Sequence, residues 1–252
     1  MGSWLAGVGS ITLLAKDAIQ SLLTLKVAWR DFVNQLYFIG VKSQSVVVVT
    51  GAFTGMVLCA QTYFQLHKVK MDTATLAVVS VSMCSELGPV LTALMVAGRV
   101  GASMAAEIGT MKVTEQIDAL RTLATHPVDY LVVPRLMASI VALPLLTAGS
   151  ITVGILSAYV VGVYLLGVDP AYSVFNMVKH TANSDVMIGI IKAFIFGGMI
   201  AIIGCYKGMT CREGAEGVGR ATTEAVVASS ILVLISNFFL TLVLSRLFHL
   251  YD

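Results

Sequence analysis

Five stretches of this chain are too apolar and too long to fold as anything but membrane-spanning helices. Residues 43–66 and 225–245 carry no charge, 73–98 only Glu86, 186–206 only Lys192, and 136–168 none through 33 positions. About 20 mostly apolar residues cross the hydrocarbon of a bilayer as a helix. Lipid offers no partner to an open backbone, so each run must close its hydrogen bonds on itself. The runs are too continuous for the alternating pattern of a membrane barrel. The predicted fold class is therefore all-α, a polytopic membrane protein with five transmembrane helices in one domain over 1–252. Composition agrees. Only 12% of residues are charged, against roughly 25% in soluble domains, too few to cover a water-facing surface.

An odd number of spans puts the termini on opposite sides of the membrane. With the N-terminus cytoplasmic, eleven Lys and Arg fall on the cytoplasmic side and five on the other, the bias that sets orientation. Lys68 and Lys70 run against it. No basic-then-apolar leader with a small-residue cleavage site opens the chain, so the first span is expected to direct insertion. A net charge of +2 points away from nucleic acid as a partner. The four cysteines form no CxxC pair and the four histidines no pair at helical spacing, so no metal site is predicted.

Residues 1–40 differ from the rest. Trp4, Val8, Ile11, Leu14, Ala18, Leu22, Leu25, Trp29, Phe32 and Leu36 step by three or four, an amphipathic stripe interrupted by Lys16, Lys26 and Arg30. This reads as a helix lying in the cytoplasmic interface with tryptophan anchors. Small residues also recur every four positions: Gly51 and Gly55; Ser150, Gly154, Ala158 and Gly162; Gly204 and Gly208. Such rows let helix backbones approach closely in lipid.

Residues 99–135 hold eight charges in 37 positions. Within them 109–126 reads as a short amphipathic helix between the second and third spans. Val113, Ile117 and Leu120 form an apolar face; Lys112, Glu115 and Asp118 recur every three residues on a charged side that Arg121 continues. Pro127 ends it. The pattern fits a bland loop helix and a docking knob for a soluble partner equally well.

The residues around it carry a resemblance. Glu86-Leu87-Gly88-Pro89-Val90, Ala97-Gly98-Arg99-Val100-Gly101-Ala102, Ala106-Glu107-Ile108-Gly109-Thr110-Met111 and Thr114-Glu115-Gln116-Ile117-Asp118-Ala119 form a linked series. Pro134-Arg135, Leu143-Pro144-Leu145-Leu146, Gly219-Arg220-Ala221-Thr222-Thr223 and Val226-Val227-Ala228-Ser229-Ser230 continue it. Together they resemble the MlaE/YrbE family of ABC transporter permeases over about 37–244. The resemblance implies a homodimeric permease in a bacterial inner membrane, moving phospholipids between that membrane and a periplasmic ring of MCE-domain proteins, in outer-membrane lipid asymmetry or lipid trafficking. It implies two ATPase subunits that bind ATP and Mg, and in some members a STAS-domain regulator. It makes the 109–126 helix the coupling helix, with Lys112, Glu115, Gln116, Asp118 and Arg121 as the ATPase-coupling residues. It also places Val57, Leu58, Gln61 and Tyr63 along an outward-facing lipid pocket. One departure is Ser85, which stands where the family often has a basic residue before Glu86, so Glu86 is either neutral or paired elsewhere.

Read from the residues, Glu86 is a carboxylate inside a span, a feature that faces a bundle interior or a wet cavity. Pro89 nearby can kink its helix, and Glu86 joins the lipid-path residues on that ground. Lys192 is expected to snorkel toward the headgroups. No G-x-x-x-x-G-K-[ST] loop occurs, so the chain is expected to hold no cofactor and ATP to be bound by a partner. The alternative is a self-contained secondary transporter of a hydrophobic substrate, which would show internal repeats; none is visible. An intramembrane hydrolase would need a nucleophile with its base, or H-E-x-x-H, and the expectation is a transport subunit, not an enzyme.

Overall fold

The computed structural model of the chain describes residues 2–23, 29–123, 126–212 and 214–249, and among them every regular element is helical. Helix α1 is Gly2–Leu23, α2 Trp29–His67, α3 Asp72–Val113, α4 Gln116–Thr122, α5 Val128–Leu165, α6 Pro170–His180, α7 Asn183–Met209 and α8 Gly214–His249. Helices α2, α3, α5, α7 and α8 are each long and apolar enough to cross a bilayer. The chain is an all-α polytopic membrane protein.

These helices overrun the apolar runs, because a formed helix adds residues cheaply until something stops it. Of the stripe expected as one helix over 1–40, residues 24–28 lie outside the described residues. Its first part is α1, while Trp29, Phe32 and Leu36 open α2 and continue into the first span. No proline stands between them, and a π turn at Tyr37–Val41 absorbs the change of register. Leu25 and the side chains of Trp4, Val8 and Leu22 lie outside the described residues. The helix expected over 109–126 divides. Residues 109–113 finish α3, then Glu115 takes a left-handed conformation at φ 59° before α4. That conformation costs a non-glycine residue about 1–2 kcal/mol. Residues 124 and 125 lie outside the description. Helix α5 stops at Leu165, and the turn that follows runs through Gly167 at φ +70°, where an L side chain would be strained. Helix α6 was not expected. Asp169 caps it, accepting from the backbone of Ala171 (2.9 Å) and Tyr172 (3.1 Å), with Pro170 at the first helical position.

The chain divides into two compact units, to each of which all five long helices contribute. The first comprises Met1–Ser43, Ala93–Leu143 and Ile195–Val233. Here glycines set the approach of α7. A Cβ on Gly197 would lie 2.6 Å from the Ser139 carbonyl oxygen of α5, and one on Gly208 2.7 Å from Ile108 Cβ of α3. Helix α1 joins this unit through Ser10, hydrogen-bonded to Tyr206 Oη at 2.7 Å, and Ser21, which donates to Asp129.

The second unit comprises Gln44–Thr92, Pro144–Phe194 and Leu234–Asp252. Two of the small-residue rows meet in it, Gly51 against Ser150 and Gly55 against Gly154. Cys59, Leu76, Val79, Met83 and Ala158 form its buried core cluster. Helix α6 is tied to α3 twice: Thr181, which caps its C-terminus, donates through Oγ1 to Ser80 Oγ (2.9 Å), and Asn176 donates to the Thr73 carbonyl (3.2 Å).

A Cβ at Gly55 would sit 2.1 Å from the Gly154 carbonyl oxygen, whereas Gly149 on α5 has nothing within 4 Å. Gly55→Ala is expected to destabilise the chain by about 1–3 kcal/mol, as overpacking does. Gly149→Ala should leave stability unchanged or raised by about 0.5–1 kcal/mol. Thermal unfolding in detergent separates the two; equal Tm values would contradict the close α2–α5 crossing.

Candidate functional site

A proline in a helix has no N–H to give, so the carbonyl four residues back loses its donor. In α3 the proline is Pro89 and the orphaned carbonyl belongs to Ser85. Lys192 of α7 fills the vacancy, donating to Ser85 O at 2.9 Å. Its ammonium also donates to Glu86 Oε1 at 2.7 Å and to Thr241 Oγ1 of α8 at 2.9 Å. Three donors thereby meet three acceptors. Glu86 sits in a π turn over Met83–Leu87. Asn237 Nδ2 donates to its Oε2 at 3.0 Å, and the Thr241 hydroxyl lies 3.0 Å from its Oε1. The lysine side chain is fully buried and the carboxylate about one-third exposed, at 34%.

Lys192 therefore does not snorkel; an acceptor of opposite charge within reach outweighs a stretch to the headgroups. With Ser85 in the preceding position, Glu86 is paired, and its partner lies on another span. Sequence reasoning missed this pair and its two helpers. The signal was present: Glu86 and Lys192 are the lone charges of their apolar runs and opposite in sign, while Asn237 and Thr241 stand i,i+4 on one face of an uncharged run.

In the same unit an open cleft of about 360 Å³ is lined by Phe53, Thr54, Val57, Leu58 and Gln61 of α2 and Leu87 of α3. Of the predicted lipid-path residues, Val57, Leu58 and Gln61 come together here. Tyr63 does not line the cleft; its ring stacks on His67 with centroids 5.3 Å apart and meets Phe64 edge-on. Glu86 does not line it either, although the adjacent Leu87 does. The lining is apolar except for Thr54 and Gln61 and carries no charge, a surface suited to a hydrocarbon chain with a polar anchor rather than to an ion.

The other unit holds the charged corner between α3 and α4. Arg135 of α5, mostly buried, donates to the Leu131 carbonyl at 2.7 Å and to Glu107 of α3 at 3.0 Å. This fixes the end of α3 against α5. Beyond it Lys112 and Asp118 pair at 2.9 Å across the break at Glu115, and Arg121 joins Asp118 at 3.1 Å. The expected single charged face over Lys112, Glu115 and Asp118 is thus a corner, because the left-handed Glu115 interrupts the helix. The Lys112 hydrogen bond, with the charges of Lys112 and Arg121, holds the Asp118 carboxyl below its ordinary range. Its pairing contributes above the usual carboxylate pKa and is lost as pH falls through the lowered value. Ile117, 1% exposed, anchors α4 from beneath, while Glu115, Gln116 and Arg121 are exposed. The arrangement is a short, braced, charged knob.

Comparison with known proteins sets these features in a family. The permease MlaE family matches residues 32–243. A probable ABC transporter permease protein of Rickettsia conorii is 46% identical over 234 residues, covering 93% of this chain and 90% of the relative. The MlaE permease protein of the Haemophilus influenzae intermembrane phospholipid transport system is 36% identical, over 84% of this chain and 82% of its own. The chloroplast protein trigalactosyldiacylglycerol 1 of Arabidopsis thaliana is also 36% identical, over 92% of this chain and 66% of that protein.

Lys192→Met would leave the Glu86 carboxylate without its cation. Breaking a buried pair costs about 3–5 kcal/mol, and the lower end is expected here because Glu86 is partly exposed. Glu86→Gln combined with Lys192→Met should recover part of the loss. Thermal unfolding of the purified variants reads both; a single variant as stable as the parent chain would contradict the pairing.

Proposed function

This chain belongs to the MlaE permease family of ABC transporters, and from that premise we propose that it carries phospholipid between a bacterial inner membrane and a periplasmic channel of MCE-domain proteins. Its relatives are named as ABC transporter permeases, so it is a transport subunit, and an ATPase partner belongs to that class of machine. The self-contained secondary transporter is set aside on the same ground.

The observation that carries the lipid reading is the uncharged cleft of Phe53, Val57, Leu58 and Leu87 with Gln61 at its wall. The name of the Haemophilus relative, a phospholipid transport permease, supports the same substrate. In this reading Val57, Leu58 and Gln61 contact lipid directly. Glu86 acts at one remove, holding α3 to α7 and α8, and Tyr63 caps the end of α2 toward His67. The working unit is a homodimer with two ATPase subunits, which bind ATP and Mg; some members of the family add a STAS-domain regulator on the ATPase. The N-terminus is cytoplasmic, α1 lies in the interface, and the braced corner of Lys112, Glu115, Gln116, Asp118 and Arg121 seats in the ATPase.

Two variants separate substrate handling from engine contact. Val57→Arg, on a side chain 64% exposed, is expected to abolish ATP-driven lipid transfer between proteoliposomes while ATPase co-purification persists. Glu115→Lys with Asp118→Lys is expected to release the ATPase. Transfer at the parental rate by Val57→Arg would remove the cleft from the lipid path, and an ATPase still bound to the double variant would remove the corner from the docking site.

A further inference from the structure

Where α7 ends and α8 begins, the first unit holds a second, partly open cavity, of about 160 Å³. Lys207, Thr210, Arg212, Gly217, Arg220 and Glu224 are among its lining residues. Three cations stand against one carboxylate, an excess of two positive charges; Glu216 is not among the lining residues, and Glu213 lies outside the description. The carboxylate serves the cations as a brace. Glu224 accepts from Lys207 Nζ at 2.9 Å and from Arg220 Nε at 2.8 Å. Arg220 therefore keeps both terminal nitrogens for another acceptor, and its side chain is 76% exposed. Arg212 is exposed as well. Gly217 keeps the wall thin: a Cβ there would lie 2.3 Å from the Arg212 carbonyl oxygen.

The depth of the cavity is set by the sequence. The apolar run of α7 ends at Tyr206, next to Lys207, and that of α8 begins at Ala225, next to Glu224. Those boundaries mark the edge of the hydrocarbon, the level at which phosphodiester groups sit. Basic pockets between membrane helices at that level select anionic headgroups, and the forked guanidinium group matches the geometry of a phosphate. The first turn of α8 adds backbone N–H groups without helical acceptors.

We propose that this cavity binds a phosphate oxyanion, carried either on an anionic phospholipid headgroup or as free phosphate. It shares no residue with the cleft on α2 and α3, and its ligand is a bound modulator rather than the lipid in transit. Arg212 and Arg220 take the phosphate oxygens, Lys207 supplies the charge beneath, and Glu224 keeps Lys207 and Arg220 oriented.

Cys211 also lines the cavity and is partly exposed, while Cys59, Cys84 and Cys205 are buried, so its thiol reports occupancy in the unaltered chain. The full-length protein in a non-ionic detergent is treated with a maleimide in the presence of dihexanoyl phosphatidylglycerol, dihexanoyl phosphatidylcholine or inorganic phosphate. Phosphatidylglycerol is expected to slow Cys211 labelling severalfold and phosphatidylcholine to protect little. Protection by phosphatidylglycerol alone identifies a lipid headgroup as the source, and equal protection by inorganic phosphate identifies the free anion. In direct titration, Arg212→Gln with Arg220→Gln should weaken binding by about tenfold or more, as loss of charge-assisted contacts implies, without changing the elution profile. Absence of protection by both anions, equal protection by phosphatidylcholine, or unaltered affinity in the double variant would overturn the proposal. So would loss of a co-purifying ATPase in that variant with phosphate binding intact, which would make the cavity a protein contact.

Discussion

A charge inside hydrocarbon has to find its opposite before helices can settle around it, and in this chain one lysine meets that demand for three helices. Lys192 of α7 gives its three protons to α3 twice and to α8 once, at Ser85 O, Glu86 Oε1 and Thr241 Oγ1. The arrangement follows from the proline. Pro89 leaves the Ser85 carbonyl without its usual helical donor, and the ammonium takes that place. Proline, π turn, carboxylate and lysine are thus one device, in which the backbone defect of α3 becomes a binding site for the cation of α7. A buried pair of this kind is poor evidence for raw stability but a strong constraint on which helices lie together and in what register.

Close packing does the remaining work in lipid, where burial of apolar surface between helices gains little. Glycine is used for proximity on α2 and α5 in one unit and on α7 in the other. The first unit adds charged braces outside the apolar runs. Arg135 with Glu107 fixes the end of α3, and Lys112 with Asp118 closes the corner at Glu115. A left-handed glutamate is an expensive way to turn a chain. It stands between two paired charges, Lys112 and Asp118, that brace the turn.

The five spans were legible in the sequence because unbroken apolar length has no other stable solution in a bilayer. The small-residue rows were legible because a four-residue period of Gly, Ser and Ala leaves few other uses. Boundaries were less so: the charged flanks at 99–113 and 29–40 stay helical although they leave the apolar run, and hydropathy cannot see that. Helix α6 was overlooked despite an Asp-Pro start, since its 11 residues are too short and too polar for a span. The Glu86–Lys192 pair was missed because the two residues are 106 positions apart; only opposite sign and solitude linked them. The cleft residues came from the family resemblance, and among those named with it Tyr63 turns instead toward His67, one turn along the same helix.

The claim that lipid passes along the α2–α3 cleft is tested most directly by capture during turnover. A photoreactive phenylalanine analogue is placed at position 58 and, as a reference, at Phe239 on α8, whose side chain is 59% exposed. Both versions are reconstituted with the ATPase and a radiolabelled phospholipid, and the cross-linked lipid is counted with and without ATP. Labelling at position 58 should change with ATP hydrolysis while labelling at 239 stays constant. Labelling at position 58 that is absent, or indifferent to ATP, would contradict a lipid path through this cleft.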